Sequence, residues 1–203
     1  MTTATRWLSL MQQLGFEPNT STADELIAAY GEKHRFYHTL THLEHCLKEL
    51  DEYQGDENKA IVELALWFHD AIYRPLSGDN EEQSAQWAKR FLQQQGASEA
   101  LQQTVYALIM ATTHQSPPVT PEEKLLIDID LSILGADKSS FTRFEKNVRR
   151  EFKRVPGIVY KSKRKQVLNH FLERERIYHS DDFFQRYEAQ ARENLKRAVT
   201  KGE

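Results

Sequence analysis

Cysteine occurs once in this 203-residue chain, at Cys46, so no disulfide can close within it and a reducing compartment is expected. Also missing is any apolar run near the roughly 18 residues needed to cross a bilayer, so no transmembrane helix is expected. The opening MTTATRWLSL has no basic stretch ahead of an apolar core and a small-residue cleavage site. No secretory signal is therefore expected, and the cytoplasm is the default location. Cationic excess is absent too. The chain has 27 Lys and Arg against 30 Asp and Glu, a net charge of −3, and nothing in that balance favours a nucleic-acid polymer or a membrane as partner. Glycine and proline are sparse, and Val, Ile and Thr never alternate with polar residues over a strand's length. That pattern gives no support to a β-sheet.

The remaining composition, 39% hydrophobic and 28% charged, is that of a globular protein with enough chain for a core. Its punctuation reads as helices. Trp7, Leu8, Met11 and Leu14 have helical spacing, and Gly15 stands where that helix would stop. Ser21 or Thr22 can cap a second helix, Glu25 completing a capping box with Thr22. A third is expected over Leu40 to Tyr53. A fourth is expected from Asn58 to about Ile72, before Pro75. Asp79 and Ser98 begin two more, which end near Gly96 and before Pro117-Pro118. Pro121 suits the first turn of a helix that contains IDIDLSIL and stops at Gly135. Two further helices are split by Pro156-Gly157. A last one, from about Asp182, has Phe183, Phe184, Tyr187, Ala191 and Leu195 on one face. The expectation is one all-α domain over residues 1–203, a bundle of roughly ten helices.

Polar residues then appear where this pattern asks for apolar ones. Four of the eight histidines fall at 34, 38, 42 and 45. His69 and Asp70 interrupt the apolar run LALWFHDAIY, and Asp128 and Asp130 interrupt LLIDIDLSILG. A buried carboxylate needs a partner, a hydrogen bond or a metal. One reading is a His-Asp hydrogen bond inside the core. The other is a divalent ion held by His and Asp from three helices, with water completing its shell. Were YHTLTH to begin a helix, His38 and His42 would lie one turn apart on one face. Asp128 and Asp130 are about 200° apart on a helical wheel, so only one of them can face a common ion.

The order H…HD…D, with the segments YHTLTH, WFHDAIY, DNEEQSA and IDLSILG, resembles the HD superfamily, and within it a bacterial group of small predicted metal-dependent phosphohydrolases. The similarity runs to about residue 198 and includes QVLNHFLERERIY and ARENLKRA. YHTLTH also resembles the YHNxxH signature of cyclic-nucleotide phosphodiesterases, with Thr39 in place of Asn, so a shared substrate is not implied. The resemblance implies one HD-type domain with N- and C-terminal helical additions. It places the metal ligands at His42, His69, Asp70 and, of the two aspartates, Asp130. His38 takes the position of the proton donor, and Asp70 doubles as a catalytic group. The implied cofactor is one divalent ion, with Mn, Mg, Co, Ni, Fe and Zn all open and a second metal near His114 allowed. The implied substrate is a small phosphorylated molecule, nucleotides being one candidate class.

Weaker candidates surround this set. His114 can line the pocket or merely close a helix end. Glu82 can support the site or only answer its helix dipole. Asp128 and Tyr73 can hydrogen-bond into the pocket. Arg164, in the run Lys161 to Lys165, can grip phosphate, although such runs are usually solvated faces. Cys46 reads as a small core residue. Two other functions stay open: a ligand-binding or regulatory HD module, and a di-iron oxygenase, which would need further His ligands. Association into a homo-oligomer is compatible with all three.

Overall fold

The computed structural model describes residues 2–201, and among them it contains ten α-helices, one 3-10 turn and no strand. The helices are α1 (Thr3–Leu14), α2 (Thr20–Tyr30), α3 (Leu40–Glu52), α4 (Lys59–Phe68), α5 (Asn80–Gln94), α6 (Glu99–Ala111), α7 (Pro121–Leu131), α8 (Lys138–Glu151), α9 (Gly157–Leu172) and α10 (Asp181–Lys201). None is long and apolar enough to cross a membrane. The all-α architecture thus follows the sequence pattern. Most stop signals act as expected. Gly15 ends α1 in the left-handed region at φ 73°, and Ser98 Oγ accepts from the Leu101 N–H to begin α6.

The start of α2 is a correction. Its cap is Asn19, not Ser21 or Thr22. Asn19 sits at φ 40°, which a short amide side chain tolerates, and its Oδ1 accepts from the Thr22 N–H and from the Ser21 and Thr22 hydroxyls.

The chain divides into two compact units, residues 1–126 and 127–203. In the first, α4 is the central element, with Val62 and every residue from Leu64 to Phe68 buried; it packs against α1, α3, α5 and α6. Trp7 meets Trp67 edge to face at 5.1 Å, and Phe68 and Phe91 extend the aromatic cluster. Arg6 ties α1 to α3 and α4 through Asp51 at 2.6 Å and Glu63 at 2.8 Å.

In the second unit, α10 packs on α9 and on the 3-10 turn Ser132–Gly135. A Cβ on Gly135 would lie 2.6 Å from Tyr187 Cβ, so only glycine lets α10 approach this closely. Buried Asn194 donates to the carbonyls of Leu134 and Ala136, and Tyr178 Oη donates to that of Leu131. Phe183, Ala191 and Leu195 are buried as the apolar face required, but Phe184 is 37% exposed and lies under Arg176 instead.

Candidate metal centre

Helix α4 stops at Phe68, three to four residues short of the expected end, and this early stop creates the site. The Ala71 N–H turns back to the Phe68 carbonyl at 2.9 Å, so His69 and Asp70 form a tight turn rather than continuing the helix. His69 is 2% exposed. Its Nδ1 lies 2.8 Å from the Leu66 carbonyl, which can only accept, so Nδ1 donates there and Nε2 is the nitrogen turned to the cluster. That nitrogen faces His42, near the start of α3. The two Nε2 atoms are 3.2 Å apart. Asp70 Oδ2 completes a triangle, 3.1 Å from His69 Nε2 and 3.5 Å from His42 Nε2.

These spacings suit a common ion. Bonds of about 2.0–2.1 Å to N and O ligands imply ligand–ligand edges of roughly 2.8–3.4 Å between octahedral and tetrahedral limits, which two of the three edges meet and the 3.5 Å edge approaches. Two buried imidazole nitrogens and a carboxylate oxygen converging at such distances form a donor set able to hold a metal ion. Burial would raise the Asp70 carboxyl. The field of His69 and His38, the hydrogen bond from His69 and then the field of His42 outweigh it and hold the group well below the usual carboxylate range. Asp70 is therefore ionised, as a ligand must be.

Cys46, read from the sequence as core, is indeed fully buried, but it belongs to the same cluster: its sulfur and the facing nitrogens of His42 and His69 lie within 4.8 Å of one another. The sulfur is 3.8 Å from both ring nitrogens of His42. Equal distances put it off the line of the Nε2 lone pair, so it supports the ring rather than pointing along the donor direction. The spacing His42-x-x-x-Cys46 on one helical face was the available signal.

His38 departs from the expected helical placement. It lies in the bend before α3, ahead of the Thr39 cap, not on the helix. Its imidazole still reaches the cluster, with its ring centre 6.0 Å from that of His42. Tyr73 holds it there by stacking at 4.1 Å. Tyr73 thus meets the site through the His38 ring. His34 Nε2 bonds the Tyr73 carbonyl at 2.7 Å and closes the same loop.

Arg35 organises both segments, and the sequence reading overlooked it. Its side chain is fully buried. It donates to the carbonyls of Asp70 at 2.6 Å, Ala71 at 2.9 Å and His38 at 3.2 Å, while Nε bonds Glu32 at 3.0 Å. Tyr30 and Tyr73 provide aromatic rings for the cation, at 5.4 and 5.6 Å. One planar fork thereby clamps the His38 loop to the His69-Asp70 turn. Only its setting among Tyr30, Phe36 and Tyr37 marks it in the sequence.

The two aspartates of α7 have different surroundings. Asp128 is fully buried, and its oxygens are occupied. Oδ1 accepts from the His179 backbone N–H at 2.8 Å and from its Nδ1 at 3.1 Å, and Oδ2 accepts from the Ser180 N–H at 2.7 Å. It anchors the segment entering α10. Asp130 is half-buried one residue before the end of the same helix, in the second unit.

The other candidates have the following surroundings. Glu82 accepts from Tyr106 Oη and from Gln86, bridging α5 and α6; the Tyr106 bond lowers its carboxyl. Arg164 is paired with Glu145 and lies over Phe144 within the second unit, so its guanidinium is already engaged there. His114 follows α6 at φ 54°, an unusual left-handed position, with its N–H bonded to the Ala111 carbonyl. Compared with family models, curated proteins and solved structures, the chain gives no significant match.

Proposed function

We propose that this protein is a metal-dependent phosphohydrolase of the HD type, acting on a phosphoester of a small molecule, with nucleotides the first class to test. The observation that carries the reading is the buried convergence of His42 Nε2, His69 Nε2 and Asp70 Oδ2. His42, His69 and Asp70 are the proposed ligands. Asp130 is the proposed fourth, because Asp128 is committed to the backbone at residues 179–180 and Asp130 occupies the matching position in the family resemblance. A divalent ion bound there supplies Lewis acidity, acidifying water and drawing charge from a phosphoryl oxygen.

The chain's own groups supply the rest. Asp70 uses Oδ2 toward the histidines and leaves Oδ1 to accept a hydrogen bond from the attacking water. His38, held against Tyr73, donates a proton to the departing oxygen, imidazole being the side chain that ordinarily changes charge near neutrality. Arg35 keeps the donor and the Asp70 turn in register without touching substrate.

The test is a panel of phosphoesters assayed with Mn, Mg, Co and Zn, with wild type beside His38→Ala. Turnover should require metal. His38→Ala should keep its metal and lose roughly 10²–10⁴ in rate on alkyl phosphates. It should lose far less on a nitrophenyl ester, whose leaving group needs little protonation. Metal binding without turnover on any ester would move the protein to a binding role, and an equal loss on both leaving groups would remove the acid assignment from His38.

A further inference from the structure

The net charge of −3 conceals a strongly cationic stretch: residues 143–165 contain ten Lys and Arg and only two acidic residues, Glu145 and Glu151. The stretch forms α8, a short turn and the first half of α9. Some of its cations have internal duties. Arg149 donates to the carbonyls of Phe152 and Val155, and Arg164 pairs with Glu145. Arg154, Lys161 and Lys163 are exposed and join no ion pair among the described residues.

Between these cations, at the first turn of α9, two aliphatic side chains stand in water. Ile158 is 87% exposed and Val159 49% exposed. Val167 follows on the stripe begun by Val159 and Lys163, four residues apart each time, and is 45% exposed. Exposed single aliphatics are ordinary. An adjacent Ile-Val pair at the tip of a helical hairpin, bracketed by Arg154 on one side and Lys161 and Lys163 on the other, is a different pattern.

We propose that the α8–α9 tip docks on an anionic phospholipid bilayer surface, with Ile158 and Val159 entering the headgroup–acyl boundary and Arg154, Lys161 and Lys163 meeting phosphate headgroups. The charge is complementary to that surface, and aliphatic side chains gain by leaving water there. A nucleic acid is the less suitable anion. Base-stacking platforms use exposed aromatics, and the aromatic nearest the tip, Tyr160, is half-buried beneath Arg149. The attachment is peripheral and salt-sensitive, because few lysines and two short side chains give a reversible anchor. It stands independently of the phosphohydrolase reading.

Co-sedimentation of the full chain with phosphatidylglycerol vesicles and with phosphatidylcholine vesicles tests it. Binding is expected to the first only, and to weaken with added salt. Lys161→Gln with Lys163→Gln should lower the partition coefficient about 30-fold, from about 1 kcal/mol per cation. Ile158→Ser should lower it roughly tenfold while leaving the circular dichroism unchanged, the site being exposed. Equal binding to both vesicles, or none to phosphatidylglycerol, would overturn the proposal. So would capture of a duplex DNA oligomer with the same lysine dependence while vesicles stay unbound.

Discussion

Replacing Asp128 and Asp130 in turn should separate a structural carboxylate from a metal-binding one on the same helix. Asp128 is fully buried and accepts three hydrogen bonds of 2.7, 2.8 and 3.1 Å. Hydrogen bonds to a charged group contribute roughly 1.5–3 kcal/mol each, and leaving a buried donor unmet adds its desolvation cost. Asp128→Asn keeps the shape but turns an amide N–H₂ toward either the His179 or the Ser180 N–H. The expected loss is about 3 kcal/mol, or roughly 6–12 °C in Tm for a chain of this size. Asp130 is half-buried rather than fully buried, and Asp130→Asn should change metal-free stability by less than about 1 kcal/mol. Urea denaturation of the metal-free variants reads stability, and equilibrium dialysis against Mn reads affinity. Asp128→Asn should lose stability and keep its metal stoichiometry, whereas Asp130→Asn should do the reverse. Unchanged stability with lost metal in Asp128→Asn would refute the assignment and make Asp128 the ligand.

Two other expectations follow from the same geometry. Arg35→Lys keeps a charge but cannot span three carbonyls with one ammonium, so turnover should fall in the wild-type background and change little further in a His38→Ala background; additive losses would mean that Arg35 does not act through His38. Burial pushes His45 below its ordinary value of about 6.5, with Glu49 opposing and His42 and Lys48 adding to the effect. The unfolded chain then takes up the proton first as pH falls. Stability should therefore be fully present above about pH 6.5 and decline toward the lowered folded value, and His45→Gln should flatten that part of the urea-midpoint profile. An unaltered slope in the variant would place the titration elsewhere.

Helix boundaries were legible where one residue type settles the backbone. Gly15 and Pro121 act through their own conformational limits, and neither needs tertiary information. The early end of α4 was not legible, because the apolar run continues through Ala71 and Ile72 and only the hydrogen bonds that Arg35 donates to the turn's carbonyls repay stopping. Asn19 was missed because Ser21 and Thr22 are equally good caps by composition, and only the left-handed backbone at Asn19 selects it. In the site, His42, His69 and Asp70 stood out because polar residues in an apolar run demand an explanation. Arg35 did not stand out: its partners are backbone carbonyls, which leave no trace in side-chain patterning. Asp128 looked like a ligand candidate for the same reason Asp130 did, and the difference lies in a contact to residues about fifty positions away.

The most direct measurement of the central claim is the metal content of the purified chain and of His69→Ala after equilibration with Mn, Co or Zn and removal of unbound ion. The account predicts about one tightly held ion per wild-type chain, near-complete loss in His69→Ala, and phosphoester hydrolysis that rises and falls with that occupancy. Wild-type protein that takes up none of these ions, or His69→Ala that holds them as tightly as wild type, would contradict it.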